Sequence, residues 1–162
     1  ENCLRHAQNC IRKARLVALQ LKYITTSLIF INLTQQGAIQ LITEHSVFSE
    51  VFIVSEAYGI KDKWGSALCN NVILRGDLKY LQEFRSVLRL TPALIQEAIE
   101  RYQQQSERPS FAINSIKKLL SLCKDVKIQY QAALNLGIKD MVTVLEKGES
   151  KSYIQDLVSQ MS

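Results

Sequence analysis

Two prolines and six glycines are the only strong backbone breakers in a chain of 162 residues, and that scarcity constrains the fold more than any other feature. An all-β chain of this length needs many tight turns, and tight turns draw on glycine and proline. Long intervals between breakers favour helices instead. With 47% hydrophobic and 22% charged residues, the chain has the apolar content of a globular protein and is too apolar to stay disordered. At this size roughly 70% of the surface of the unfolded chain can be buried.

Residues 3–26 carry the clearest period. Leu4, Ala7, Ile11, Ala14, Ala18 and Leu21 recur in steps of three and four, and Cys10, Val17 and Ile24 widen the stripe. That is the apolar face of a long helix, the face such a helix turns to a core. Leu28 to Leu33 read as an irregular, buried connector. Thr34 then caps a helix reaching about His45, and Ser46 caps the next, with Glu50 in its first turn and Gly59 at its end. A helix from about Asp62 runs through Trp64, Leu68, Val72 and Ile73 to Gly76, and Asp77 caps its successor. Thr91-Pro92 is a cap followed by proline at the first helical position, opening a helix that runs to about Gln105. Pro109-Ser110 restarts the chain, and Asp125 caps a helix ending near Gly137. Two short helices follow, separated around Gly148.

This gives about ten helices joined by short loops, and short loops make successive helices antiparallel neighbours. The joint itself recurs. Tyr58-Gly59-Ile60-Lys61-Asp62 is echoed by Leu136-Gly137-Ile138-Lys139-Asp140 and, more briefly, by Gly76-Asp77. Each reads as a left-handed glycine ending one helix and an aspartate meeting the free N–H groups of the next. The expected fold is all-α: one helical domain over residues 1–162, built of stacked antiparallel hairpins in the manner of an α-solenoid. Tyr58 and Trp64 read as packing residues that lock the Gly59 corner.

The chain opens on Glu1 with no charged-then-apolar leader, and its longest aliphatic or aromatic run is Leu28-Ile29-Phe30-Ile31, far short of the ~18–20 residues of a spanning helix. The expectation is a segment of a longer cytoplasmic protein. Cys3, Cys10, Cys69 and Cys123 lie at scattered apolar helical positions without CxxC spacing, and read as small buried hydrophobes in a reducing compartment.

No chemistry assembles along the chain. Glycine-rich phosphate loops are absent, and no serine sits in a nucleophile elbow. His6 and His45 stand apart without metal-ligand spacing and read as lone surface histidines. The expectation is a non-enzyme that needs no metal or cofactor. The net charge of +5 has one local focus: Arg5, Arg12, Arg15 and Lys22 fall within an arc of about 100° beside the apolar stripe. Such a strip suits an acidic partner or an anionic membrane surface; the blander reading, which we favour, is a solvated face whose aliphatic stems cover apolar surface. No nucleic-acid-binding motif accompanies it.

A resemblance adds to this reading. Ile53-Val54-Ser55-Glu56-Ala57-Tyr58, Trp64, Val72-Ile73-Leu74-Arg75-Gly76-Asp77 and Tyr80-Leu81-Gln82-Glu83-Phe84 together resemble the C-terminal region of the spatacsin family. The likeness extends upstream over Ala14 to Leu21 and Ile31-Asn32-Leu33, and downstream over Lys117-Lys118-Leu119-Leu120, Asp125-Val126 and Tyr130. It departs before Phe48, where the family has a proline, and at Lys63, where the family often has an acidic residue. The resemblance implies the C-terminal segment of a very large α-solenoid scaffold. Its implied partners are spastizin and the fifth adaptor-protein complex on late endosomes and lysosomes, with roles in lysosome reformation and protein sorting. It brings no catalytic residues. The alternative is a peripheral helical module that binds anionic lipid through the first helix.

Overall fold

A computed structural model describes residues 2–148 and residue 159. Its described elements are all helical: α1 (Asn2–Lys22), α2 (Gln35–Glu44), α3 (Phe48–Tyr58), α4 (Trp64–Leu68), α5 (Leu78–Val87), α6 (Pro92–Gln103), α7 (Ala112–Leu122), α8 (Val126–Asn135) and α9 (Lys139–Lys147). A π-helical stretch, Cys69–Leu74, continues α4 without a break. The helix expected after Gly148 lies outside the described residues.

The caps explain most of these boundaries. Thr34 accepts from the Gly37 N–H, Asp77 from Tyr80, Thr91 from Leu94, and Asp125 from Lys127 and Ile128, so each start satisfies donors that the helix cannot. Gly59, Gly76 and Gly137 all have left-handed φ, at 69°, 71° and 66°. The aspartates of the echo behave differently from one another. Asp77 caps α5, but Asp62 pairs with Lys63 while α4 starts at Trp64 with no side-chain cap. Asp140 already lies inside α9 and reaches Lys117 at 2.6 Å. Ser46 is not a cap either, since α3 starts after Val47 with no side-chain cap bond.

Helices two apart in sequence pack on one another. α1 lies on α3 and α3 on α5, while α2 lies on α4, α4 on α6 and α6 on α8. These two rows, closed by the α2–α3 and α8–α9 hairpins, are compatible with solenoid-like stacking. The rows meet over an aromatic cluster. The Phe48 ring lies 5.5 Å from both Tyr80 and Phe84 and 5.9 Å from Trp64, distances at which offset and edge-on pairs attract. Trp64 is thus a packing residue. Tyr58 anchors the connector before α2: its hydroxyl donates to the Phe30 carbonyl at 2.9 Å and accepts from the Leu33 N–H at 3.0 Å.

The π stretch serves α2. Asn70 donates to the Thr43 carbonyl at 3.1 Å, and Arg75 to the Glu44 carbonyl. Side chains of one helix thereby satisfy the last carbonyls of another, groups that otherwise need water or a cap.

Two burial expectations are corrected. Cys69 and Cys123 are buried, but Cys3 and Cys10 are exposed. The apolar stripe of α1 also faces away from the protein: Leu4 is 68% exposed, Leu21 60% and Ile11 51%. Leu16 and Leu19 are the α1 side chains that enter the core, roughly opposite the stripe at 100° per residue. The physical reason is that α1 meets α3 along a different face, fixed by polar contacts between them.

Candidate interaction surface

Those contacts centre on Glu50. As a first-turn residue of α3 it points back at α1 and at the loop between α2 and α3, and is 4% exposed. The Lys22 ammonium donates to its Oε1 at 2.6 Å, the Tyr23 hydroxyl lies 3.0 and 2.9 Å from Oε1 and Oε2, and His45 Nε2 lies 2.7 Å from Oε2. Burial alone raises the pKa of this carboxyl and is the largest single influence. The hydrogen bonds from Lys22, His45 and Tyr23 together outweigh it, so the group titrates below its ordinary value. The same carboxylate raises the pKa of Lys22 and, through a hydrogen bond to the phenol, that of Tyr23.

Two turns away, Arg12 pairs with Glu56 at 3.3 Å, and Lys61 joins the same carboxylate at 3.5 Å. Around the Arg12–Glu56 pair lies a notch also lined by Gln8, Ile11, Arg15, Phe52 and Ile53. The Gln20 side chain closes the turn behind α1, its Oε1 accepting from the Phe30 N–H at 2.7 Å and its Nε2 donating to the Leu28 carbonyl at 3.1 Å.

The basic strip therefore divides. Arg12 and Lys22 are held by Glu56 and Glu50, whereas Arg5 and Arg15 are exposed and make no ion pair among the described residues. His45, read from sequence as a lone surface histidine, is instead mostly buried against Glu50 and edge-on to Phe30. Local sequence carries little sign of this cluster, because its members come from residues 22, 23, 45 and 50 and meet only through the fold. The one legible hint was a carboxylate in a first turn followed by an otherwise apolar stretch.

Elsewhere, an open polar cleft of 460 Å³ runs between α2, α4 and α6, with Lys63 and Arg101 on its walls. Among the described residues no group of three or more His, Cys, Asp or Glu side chains converges as a metal site would. No helix among them is long and apolar enough to cross a membrane.

Comparison with known proteins fits this surface into a family. The profile of the spatacsin C-terminus family matches residues 1–104, a span that holds α1 to α6 and both anchors of α1. The chain belongs to the spatacsin C-terminus family. It is 32% identical to mouse spatacsin over 149 residues, which is 91% of this chain but 6% of the mouse protein. A Dictyostelium discoideum protein is 29% identical over 110 residues, 67% of this chain and 3% of its own length. This chain thus spans only a small part of the length of both relatives. No solved structure matches the chain.

Proposed function

We propose that this segment is a non-catalytic scaffold within a large spatacsin-like trafficking protein, working through its surface. The observation that carries the reading is the family match over α1 to α6, joined to a helix that is anchored by one face and open on the other. In this reading the segment helps hold a spastizin-like partner and the fifth adaptor-protein complex at the cytosolic face of late endosomes and lysosomes, in support of lysosome reformation and protein sorting. The family relation supports the placement, and the stacked helices supply the extended surface that scaffolds of this kind use.

The test is co-precipitation or calorimetric titration of this chain against overlapping fragments of a spastizin-like protein and each subunit of the adaptor complex. Saturable binding to at least one fragment is expected, and silence from all of them would remove direct binding by this region. The alternative, a lipid-binding module working through the basic strip, draws less support, because Arg12 and Lys22 are already paired within the protein.

A further inference from the structure

The cations of this chain are not evenly matched with acids. In the polar cleft between α2, α4 and α6 both wall cations already hold carboxylates, Lys63 that of Asp62 at 2.9 Å and Arg101 that of Glu97 at 3.0 Å. A separate notch of 330 Å³ lies midway along the stack, where the end of α5, the loop to α6 and the end of α7 meet. Three cations line it, Arg85, Arg89 and Lys124. All three are exposed, and none makes a hydrogen bond or ion pair among the described residues.

The protein's own needs do not account for them. The acidic side chains nearest in sequence are engaged elsewhere, Glu83 with Lys79 at 3.7 Å and Asp125 as the cap of α8. No acidic residue occurs from Phe84 to Gln96 or from Arg108 to Lys124. The end of α7 does not use Lys124, because the Leu120 and Cys123 carbonyls accept from the Gln129 amide. Arg85 suits the last turn of α5, where a cation gains from the aligned carbonyls. Arg89 lies beyond that helix and has no such reason to be there.

We propose that this notch binds an acidic peptide segment of another protein, seating one leucine-like side chain between carboxylates. The apolar part of that ligand is set by Leu88, Leu90, Pro92 and Leu122, which line the notch half-buried, so a side chain laid on them takes wet apolar surface out of water. The charged part is set by the two guanidinium forks, which match carboxylates bidentately, with Lys124 as a third charge. A phosphate is less well served. Pro92 has no N–H and Thr91 holds that of Leu94, so the start of α6 lacks the fan of free N–H groups that grips a phosphate. A lipid surface is met by a protruding apolar face, whereas these apolar residues line a recess.

The place of the notch points to a separate protein as the source. Further helices joined before α1 or after α9 would extend the stack at its ends, whereas the notch is built from residues 85–124, in the middle of it. A second copy of this chain is a poor source as well, since no two of its 15 acidic residues are adjacent. None of this draws on the spastizin reading above.

The test follows fluorescence anisotropy of a labelled peptide in which one leucine stands between two glutamates on either side. The expected result is saturable binding, about tenfold tighter than that of the same peptide with lysine for glutamate, and weakening as salt rises. Alanine in place of the peptide's leucine should weaken it several-fold. Joint Arg85→Ala and Arg89→Ala should weaken it at least about tenfold with unchanged circular dichroism. Joint Arg5→Ala and Arg15→Ala, which remove the unpaired cations of α1, should leave it unchanged. Equal binding of the acidic and basic peptides, or equal losses in the two double variants, would overturn the proposal. So would displacement of the peptide by inorganic phosphate at constant ionic strength, or pelleting with phosphatidylserine vesicles that Arg89→Ala abolishes while the peptide stays free. The full-length protein in which the proposed function places this segment should bind the peptide equally well; binding about tenfold weaker there would show the notch filled by its own chain and would also overturn it.

Discussion

Replacing Glu50 by glutamine tests whether the rotation of α1 is set by the buried carboxylate. The substitution keeps the shape of the side chain and one accepting oxygen, and turns the other oxygen into a donor. Of the three groups around Glu50, Tyr23 and His45 are the better enclosed, whereas the Lys22 side chain is 65% exposed. The amide therefore keeps its oxygen for the enclosed donors, and the ammonium returns to water. That distinguishes this case from removal of one partner of a fully buried pair, which costs about 3–5 kcal/mol because a charge is stranded. The loss here is that of a hydrogen bond to a charged group, about 2 kcal/mol. For a chain of this size it lowers Tm by about 4–8 °C.

The pH dependence sharpens the test. The folded-state pKa of Glu50 is depressed below its ordinary value, so its contribution is fully present above the unfolded pKa near about 4.3 and is lost as pH falls through the folded value. A protonated Glu50 resembles the glutamine. The difference between wild type and Glu50→Gln, measured by urea unfolding followed at the helical circular-dichroism band, is therefore constant from neutral pH to about pH 5 and shrinks below that. A difference that is pH-independent through the acid range, or smaller than about 0.5 kcal/mol at neutral pH, would refute the reasoning.

Three further outcomes follow from the packing of the helices. Gly59→Ala meets only left-handed backbone, with nothing within 4 Å of the new Cβ, and should cost about 1–2 kcal/mol. Gly76→Ala has the same backbone and brings Cβ to 3.3 Å from the Phe111 ring, so it should cost more; equal losses in thermal melts would count against the contact. Tyr80→Phe should be neutral or stabilising by up to about 1 kcal/mol, because the buried hydroxyl makes no hydrogen bond of good geometry among the described residues, although the Asn71 side chain lies close enough to act on it; a clear fall in Tm would show that Asn71 holds it. A thiol reagent on the native protein should titrate Cys3 and Cys10 quickly and the other two only after denaturation, since burial pushes Cys69 up to about 11 and raises Cys123 as well. Four fast thiols would mean that the α4 and α7 ends open readily.

What could be read from sequence was whatever is decided within a few residues. Thr34, Asp77, Thr91-Pro92 and Asp125 announce helix starts because a cap acts on N–H groups two or three positions away, and the structure has each of them bonded as a cap. Gly59, Gly76 and Gly137 announce stops because left-handed backbone excludes most other residues. The aspartates at 62 and 140 show the limit of that logic. Their spacing from glycine matches, but a neighbouring lysine at 63 and a distant one at 117 compete for the carboxylates. The π stretch left no signal at all, since it answers to the carbonyls of Thr43 and Glu44 on another helix.

The face of α1 was the largest misreading, and its cause is physical. Periodicity reports that a stripe is apolar, and tertiary structure decides what covers it. Leu16 and Leu19 alone make a weak pattern, yet they are the residues buried, because Glu50 and Glu56 on α3 hold the cations beside them and so fix the rotation of the helix. Had burial of the larger stripe against α3 been the lowest state, a turn of the helix by half a revolution would have reached it, at the expense of leaving Glu50 enclosed without Lys22. A buried carboxylate stripped of its charged donor is costly, and that cost holds the stripe outward. The cluster that orients α1 is thus what keeps the stripe turned outward, so Glu50→Gln should loosen the contact of α1 with α3 as well as the fold, read as faster amide hydrogen exchange in α1 than in α6. Unchanged exchange in α1 of a Glu50→Gln chain that has lost its expected stability would separate the two and show that α1 keeps its orientation by other means.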